Sequence, residues 1–348
     1  MINFVKNNKL RAVLFGLSGV LALYFMLTMV NTRKPLQKMK GISMVAPPDI
    51  FPKDPMPQIK NTGANWIALI PYAFSTKNNP EVQFQNLDWQ WWGEREEGIR
   101  ESIRLAKLQQ MHVLLKPQVY IHNSWVGSMD FQIESDWQIW EQDYRNYILK
   151  FAKLATELNV DMFCIATEYN IAAIKREGFF RTLIQELRLI YKGKLCYSAN
   201  WDHYSEVPFW DVLDYIGISA YFPLTEQKTP SLSELGEAWQ LYLQKMEQLS
   251  RKLNKQILFT EYGYLSVDGS GGKGWEIEKN IQAHAVNQLA QAHSYQALFE
   301  NLWNKDWWAG GFLWKWFPNG QGHEGYPEKD YTPQGKAAET VLKAWYHK

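Results

Sequence analysis

Two glutamates in this sequence each stand at the end of an apolar run that has the composition of a buried strand. In ILFTEYGY (257–264) the apolar residues lead to Glu261, and in FCIATEYN (163–170) a similar run leads through a threonine to Glu168. A carboxylate at a strand end lies at the rim of a sheet, where it can face a cleft. Two carboxylates facing one pocket would suit acid–base and nucleophilic chemistry on a glycosidic bond. Each glutamate taken alone could equally form a structural ion pair.

The segments that would position these glutamates alternate between strand-like and helix-like patterns along most of the chain. Near-continuous apolar runs separated by amphipathic stretches are typical of a parallel sheet covered by helices. Strands are predicted at 41–47, 65–74, 112–121, 160–168, 194–201, 214–222, 256–264 and 309–317. Helices are predicted at 93–110, 136–158, 178–191, 232–253 and 276–300, with a last one opening at Thr332-Pro333, an N-cap and first-turn pair, and running to about 346.

Eight such strands are the number that closes a (β/α)8 TIM barrel. An open, doubly wound sheet is the competing α/β architecture, but it normally carries a Gly-rich phosphate turn after an early strand, and MVAPPD follows the first strand here. In a barrel, Glu168 would end the fourth strand and Glu261 the seventh. The two side chains would then converge from opposed sides of the carboxyl-terminal face, where barrel active sites form.

Composition restricts the function classes. The 348 residues are a normal length for one barrel, and 37 basic against 36 acidic residues give a formal net charge of +1. This balance argues against a protein that holds nucleic acid by charge. Aromatic residues make up 15% of the chain, including 17 Trp. Indole can cover the C–H face of a sugar and also donate a hydrogen bond, although an aromatic-rich core would give the same composition.

The cysteines and histidines give no sign of a metal site. Cys164 and Cys196 both fall in predicted strands and are interpreted as small buried apolar residues. The seven histidines are scattered and form no HExxH or comparable spacing. We therefore expect neither a metal nor another cofactor.

The N-terminus predicts a membrane anchor. Residues 12–30 carry no charge, follow a basic segment at 1–11 and would span about 28 Å as a helix, close to the hydrocarbon thickness of a bilayer. No cleavage pattern follows, so an uncleaved signal anchor is expected, then a linker at 31–39 and the barrel domain at 40–348. The barrel is expected outside the cytoplasm, periplasmic or extracellular, and secreted if the segment is cleaved. The expected partners are a saccharide substrate and the membrane, with no nucleic acid and no required protein partner.

Several short stretches at the predicted strand ends carry a resemblance to a known family. They are KGISM at 40–44, KPQVY at 116–120, FCIATE at 163–168, YSANWD at 197–202, IGISAYFPL at 216–224, FTEYGY at 259–264 and GGFLWKW at 310–316. Together they resemble glycoside hydrolase family 113, the β-mannanase-like retaining barrels of the large clan whose catalytic glutamates end strands four and seven. The resemblance covers about residues 40–346.

The resemblance implies a role for four residues. Glu261 matches the nucleophile and Glu168 the acid/base. Tyr221, at the end of the sixth predicted strand, matches the tyrosine that hydrogen-bonds the nucleophile. Trp314, on the eighth, matches the platform under the sugar in the cleaved subsite.

One position departs from the clan pattern. The clan usually places Asn before the acid/base, where it contacts the sugar 2-hydroxyl, and this chain has Thr167, so Asn200 on strand five is a candidate substitute. Lys116 and Gln118, at the end of strand three, could reach a sugar hydroxyl, although Lys116 could instead pair with a rim carboxylate. Further aromatic candidates for sugar stacking, each of which could also be core, are Trp125, Trp201 and Trp316.

These observations predict a retaining endo-β-glycosidase that hydrolyses β-1,4-mannan or manno-oligosaccharides by double displacement. The same chemistry on another β-linked glycan, such as a β-glucan, is an alternative, because no short motif in the sequence distinguishes mannose, with its axial 2-hydroxyl, from glucose. A non-catalytic carbohydrate-binding barrel is a second alternative. A barrel lyase or aldolase is a third; it would use Lys116 or Lys315 as a Schiff-base lysine.

Overall fold

The computed structural model describes residues 37–85, 87, 89–320 and 328–348. The predicted anchor at 12–30 lies outside these residues. Within them, no helix combines the length and the apolar character needed to cross a membrane. Residues Lys38–Lys348 form one compact unit.

Eight parallel strands close into a barrel in the order β1, β2, β4, β6, β7, β8, β9 and β10, with β10 paired back onto β1. This confirms the predicted closed parallel barrel. The strands are β1 (Met39–Met44), β2 (Trp66–Leu69), β4 (His112–Leu115), β6 (Met162–Thr167), β7 (Lys194–Asn200), β8 (Ile216–Ser219), β9 (Ile257–Tyr262) and β10 (Trp308–Trp316). Thus β6 is the fourth barrel strand and β9 the seventh.

Two of the predicted strands are each divided in two. The segment at 65–74 becomes β2 and β3 (Tyr72–Thr76), and the segment at 112–121 becomes β4 and β5 (Gln118–His122). The breaks fall at Pro71 and Pro117, which have no N–H to donate to a ladder. Beyond the breaks, β3 and β5 pair with each other in a separate two-stranded parallel sheet. This two-stranded sheet directly follows the carboxyl ends of β2 and β4, so it forms one wall over the catalytic face of the barrel.

Helices follow most of the strands. They are α1 (Met56–Lys60), α2 (Glu96–Leu108), α3 (Glu134–Glu157), α4 (Asn170–Lys175), α5 (Glu177–Ile190), α6 (Leu232–Leu253), α7 (Gly274–Glu278), α8 (Gln288–Leu302) and α9 (Ala337–Tyr346). The helix α2 shows why they form: Ile99, Ile103 and Ala106 recur at helical spacing, and all three are buried against the barrel.

Two predictions about the helices were wrong. The helix expected at 276–300 is interrupted, since α7 ends at Glu278 and α8 begins only at Gln288. The last helix begins at Ala337 rather than at Thr332-Pro333, because Gly335 adopts a φ of 69° that no helix tolerates. Between β7 and β8, where no helix was predicted, the chain makes a 3-10 turn, Trp210–Val212.

The barrel interior is filled by apolar side chains from several strands. Cys164 and Cys196 are neighbours there, paired in register across β6 and β7, fully buried and both free thiols. Their interpretation as buried small residues is confirmed. Leu114, Met162 and Leu258 pack in the same cluster. This packed layer supports the polar residues at the carboxyl ends of the strands.

Candidate active site

Glu168 directly follows β6 and has an unusual backbone conformation. Its φ is 59°, in the left-handed region that non-glycine residues rarely occupy. The turn is held on both sides: the Glu168 amide donates to the Ser198 carbonyl of β7 at 2.7 Å, and the Glu168 carbonyl accepts from the Asn170 amide at 2.8 Å. Such strain is typically kept where a side chain has to be aimed for function.

Glu261 belongs to β9 itself and is 6% exposed. Its backbone carbonyl accepts a hydrogen bond of 2.8 Å from Ala220, just beyond the end of β8. Glu261 and Glu168 line the same cavity of about 200 Å³, together with Gln118, Trp125 and Trp314 among others. The convergence expected for the ends of the fourth and seventh strands is therefore present.

Three donors surround the carboxylate of Glu261. The Tyr221 hydroxyl donates to Oε2 at 2.7 Å, and the Gln118 amide donates to Oε1 at 3.0 Å. The ammonium of Lys116 also donates to Oε1. Hydrogen bonds and an adjacent cation stabilise the ionised form of a carboxyl group. Burial and the charge of Glu261 raise the pKa of Tyr221 well above its usual value, so this residue remains a donor.

Glu168 is in the opposite situation. Burial raises its pKa, and the negative charge of nearby Glu261 raises it further. The hydrogen bond from Trp125 Nε1 to Glu168 Oε2 at 2.7 Å acts against this, as do Ser219 and the charge of Lys116. The two carboxyl groups thus have different surroundings: three donors bind Glu261, whereas burial and a neighbouring negative charge favour the protonated form of Glu168, as an acid requires.

A second, larger cavity of about 400 Å³ adjoins the first. The two share Tyr72, Tyr120 and Trp314 as lining residues. Beyond these three, its lining residues include the aromatic Phe74, Trp89 and Trp91, of which Trp89 is 61% exposed. They also include aliphatic side chains such as Met44 and Ile70, and the charged residues Lys315 and Glu94. An open cleft with aromatic walls is suited to covering the apolar faces of sugar rings.

The comparisons with known proteins agree with this geometry. The sequence profile described as Glycoside Hydrolase Family 113 matches residues 51–336. The chain belongs to glycoside hydrolase family 113. It is accordingly a β-mannanase-like glycoside hydrolase, which sets aside the lyase, the aldolase and the non-catalytic barrel.

Solved structures of the same family resemble this family 113 enzyme over most of its length. A family 113 β-1,4-mannanase in a complex is 27% identical, with a TM-score of 0.73 over 89% of this chain and 99% of the other. The β-mannanase AaManA from Alicyclobacillus acidocaldarius, in complex with ManMIm, shares the fold at 24% identity and a TM-score of 0.77, over 89% of this chain and 97% of the other. A β-glucuronidase from Ruminococcus gnavus is more distant, at 14% identity and a TM-score of 0.62 over 89% of this chain and 50% of the other. No curated protein matches the sequence.

The remaining predicted binding residues of the family 113 enzyme occupy different places. Gln118 lines the cavity that contains both glutamates, and Lys116 is fully buried beneath it, paired with Glu261. From the sequence, a pairing of Lys116 with a carboxylate at the rim was the alternative to a contact with a sugar hydroxyl. Asn200 donates to Asp202 Oδ1 at 2.8 Å, and its role in binding a sugar hydroxyl stays a prediction. Trp201 stacks on Trp275 with ring centroids 5.6 Å apart.

Of the other two tryptophan candidates for sugar stacking, one lies in the core and one lines the smaller cavity. Trp316 is 1% exposed and belongs to the core. Trp125 is the donor to Glu168 and lines the smaller cavity. Thr167, where the clan usually has Asn, also lines this cavity, and its buried hydroxyl has no hydrogen-bond partner among the described residues.

Three residues of the larger cavity were not identified from the sequence. Tyr72 and Tyr120 lie at the start of β3 and in the middle of β5, so the proline breaks that create the two-stranded sheet also create their positions. Glu94 lies in a 3-10 turn (Trp92–Glu94), and burial raises its pKa to about 7, against the effects of a Trp91 backbone hydrogen bond and the charge of Arg95. In the sequence, Glu94 opens the charged run EREE (94–97), a pattern typical of a solvated first helical turn, so its burial is not evident from the pattern.

The described residues contain no cluster of three or more His, Cys, Asp or Glu side chains that could hold a metal ion. The expectation that the enzyme needs neither metal nor cofactor remains a prediction.

Proposed function

We propose that this family 113 enzyme hydrolyses β-mannosidic bonds with retention, using Glu261 as nucleophile and Glu168 as acid/base. The observation that carries the proposal is that both carboxyl groups line one cavity while their surroundings differ in kind. Glu261 accepts three hydrogen bonds, one of them from a cation, whereas burial and a neighbouring negative charge raise the pKa of Glu168.

In the first step, an oxygen of Glu261 attacks the anomeric carbon from one face of the sugar. The bond to the leaving oxygen breaks, and that oxygen takes the proton of Glu168. The hydrogen bond from Tyr221 holds the Glu261 carboxylate in one orientation during the attack. The product is a glycosyl ester of Glu261.

In the second step, Glu168 is a carboxylate and accepts a proton from water as the water attacks the anomeric carbon. The ester bond breaks and Glu261 leaves as a carboxylate. Because each step inverts the anomeric carbon, the product keeps the β configuration. Trp314 borders both cavities, which supports its proposed role under the sugar ring at the point of cleavage.

The proposed substrate is β-1,4-mannan or its oligosaccharides, cleaved internally. The family 113 neighbours with solved structures are described as β-mannanases, one of them as a β-1,4-mannanase. The two adjoining cavities, of about 200 and 400 Å³, offer room for more than one sugar residue, as an internal cut requires. We further propose that the N-terminal segment anchors the barrel outside the cytoplasm, as its sequence predicts. Accessibility of the barrel to added protease on intact cells tests this location.

The experiment that tests the function is a panel of mannan, glucomannan, β-1,4-glucan and mannohexaose with the full chain. Products are resolved by length, and their anomeric configuration is followed by proton NMR during the first minutes. We expect β-configured oligosaccharides of several lengths from mannan and mannohexaose. An α-configured first product contradicts retention, release of monosaccharide alone contradicts internal cleavage, and a preference for β-1,4-glucan contradicts the assigned sugar.

A further inference from the structure

Lys116 is the residue that the proposed reaction leaves without an evident role. It follows the end of β4, its side chain is fully buried, and its ammonium donates to Oε1 of Glu261. The amide of Gln118 donates to the same oxygen at 3.0 Å, and the Tyr221 hydroxyl donates to the other oxygen, Oε2. The nucleophile would thus have two neutral donors even without Lys116. The lysine adds a charge.

The charge of Lys116 reaches further than Glu261. It lowers the pKa of Glu168, the group across the cavity. The charge of Lys116 also acts on the thiols of Cys164 and Cys196. Glu168 in turn faces Glu261, Tyr197 and Tyr221, and it receives hydrogen bonds from Trp125 and Ser219. Among these described groups around Glu168, the cation is Lys116.

The proposed mechanism moves one negative charge across this site. In the free enzyme, Glu261 is a carboxylate and Glu168 carries a proton. In the glycosyl-enzyme, Glu261 is a neutral ester and Glu168 has given its proton to the leaving oxygen. The positive charge of Lys116 balances one carboxylate in both states, so the buried site remains neutral throughout. An uncompensated buried charge would be costly in either state.

We infer that Lys116 is a positioning residue that provides one constant counter-charge, shared in turn by Glu261 in the free enzyme and by Glu168 in the glycosyl-enzyme. The inference rests on the double displacement proposed above. Its consequence is kinetic, since Lys116 then acts on the second step, when its direct partner has become an ester. A lysine that acts on Glu261 alone would change the rates of both steps without moving the pKa of Glu168 in the glycosyl-enzyme.

The test compares K116M with Q118L, a matched control that removes a neutral donor from the same oxygen of Glu261. Both are assayed on a dinitrophenyl β-mannoside, whose good leaving group makes breakdown of the glycosyl-enzyme limit kcat. The acidic limb of kcat against pH then reports the ionisation of Glu168 as base. Lys116 lowers the pKa of Glu168 from across the cavity, and an opposite charge nearby lowers a carboxyl pKa by roughly one to three pH units, so the lower end of that range applies. We therefore expect K116M to move the midpoint of this acidic limb to higher pH by about one pH unit or more. We expect Q118L to leave the midpoint unchanged.

Three outcomes are informative. If K116M does not fold, K116Q, which keeps a donor to Glu261 without the charge, carries the same expectation. The inference is overturned if the acidic limb of the lysine variant lies at the same pH as that of wild type. It is also overturned if the limb of Q118L moves to higher pH by as much as that of the lysine variant. The proposed function is tested separately by exposing wild-type enzyme to a 2-deoxy-2-fluoro-mannosyl fluoride: no mass increase on a peptide containing Glu261 would refute the double displacement itself, whatever the variants do.

Discussion

The indole of Trp125 donates a hydrogen bond of 2.7 Å to the carboxyl group of Glu168. The two residues come from different barrel segments, the loop after β5 and the end of β6. This hydrogen bond favours the ionised carboxylate and so lowers the pKa of Glu168, against the larger effects of burial and of Glu261. Trp125 therefore tunes the pH range in which Glu168 can act as an acid.

Replacing Trp125 with Phe tests this tuning. The loss of a donor to the carboxylate raises the pKa of Glu168, and Glu168 then stays protonated to higher pH. A hydrogen bond to a charged group contributes roughly 1.5–3 kcal/mol, but water can replace part of it. We expect the alkaline limb of kcat/KM to move up by about half to one pH unit. The control is W89F, at an exposed cleft tryptophan without a bond to Glu168. A W125F limb that stays in place or moves down contradicts the assigned hydrogen bond.

Glu261→Gln removes the proposed nucleophile while keeping its size. We expect kcat/KM on mannohexaose to fall by at least about a thousandfold, as for other residues that form a covalent intermediate. The variant leaves Lys116 buried beside a neutral amide, so the melting temperature should fall while the folded circular-dichroism spectrum is retained. Wild-type turnover in E261Q would refute the assignment.

Glu168→Ala removes the acid and the base together. Substrates with poor leaving groups need the acid, so their hydrolysis should fall strongly, whereas formation of the glycosyl-enzyme from a dinitrophenyl mannoside should be largely kept. Breakdown of that intermediate then lacks a base, and azide, which needs none, should restore turnover. The expected product is a β-mannosyl azide, identified by NMR. An α-azide would mean that the reaction inverts configuration.

The sequence was sufficient to predict the part of the site that depends on local pattern. An apolar run that ends in glutamate, as at Glu168 and Glu261, identifies a strand and its rim residue together, and counting the strands places the two on one face. Tyr221 was identified by resemblance, and its hydroxyl does donate to Glu261. Each of these inferences needs only the residue type and its position along a strand.

The rest of the site depends on contacts between segments that are distant in sequence, or on hydrogen bonds between side chains that are close in sequence. Lys116 meets Glu261 across 145 positions of sequence, and no pattern in either segment specifies that pairing. Asn200 donates to Asp202, two residues away, a local contact that the strand pattern does not specify, and its contact with a sugar stays a prediction. The aromatic cavity arises because two prolines divert β3 and β5 out of the barrel, a consequence that becomes clear only when the two short strands pair.

Glu94 lines the aromatic cavity next to the catalytic one and is a candidate to accept hydrogen bonds from sugar hydroxyls. Glu94→Ala should therefore lower kcat/KM on mannohexaose by roughly tenfold to a hundredfold, the loss expected for one or two hydrogen bonds. Activity on an aryl β-mannoside, which does not reach that cavity, should change by less than about twofold. The control is E97A, at an exposed position on the first turn of α2. Equal losses of E94A on both substrates would contradict a role in binding distant sugars.

The same carboxyl group should influence stability in a pH range of its own. Burial raises the pKa of Glu94 from 4.5 to about 7, so between these values the folded state holds a proton that the unfolded state has released. Its contribution to the free energy of unfolding is therefore fully present below about pH 4.5 and is lost as the pH rises through about 7. E94Q is neutral at every pH and lacks this loss. The melting temperature of E94Q minus that of wild type should thus increase between pH 4.5 and 7.5, by about 2–4 °C for each kcal/mol. The carboxyl groups common to both proteins cancel in this difference. A difference that is constant over this range, or that decreases, would show that Glu94 is ionised in the folded enzyme at acidic pH.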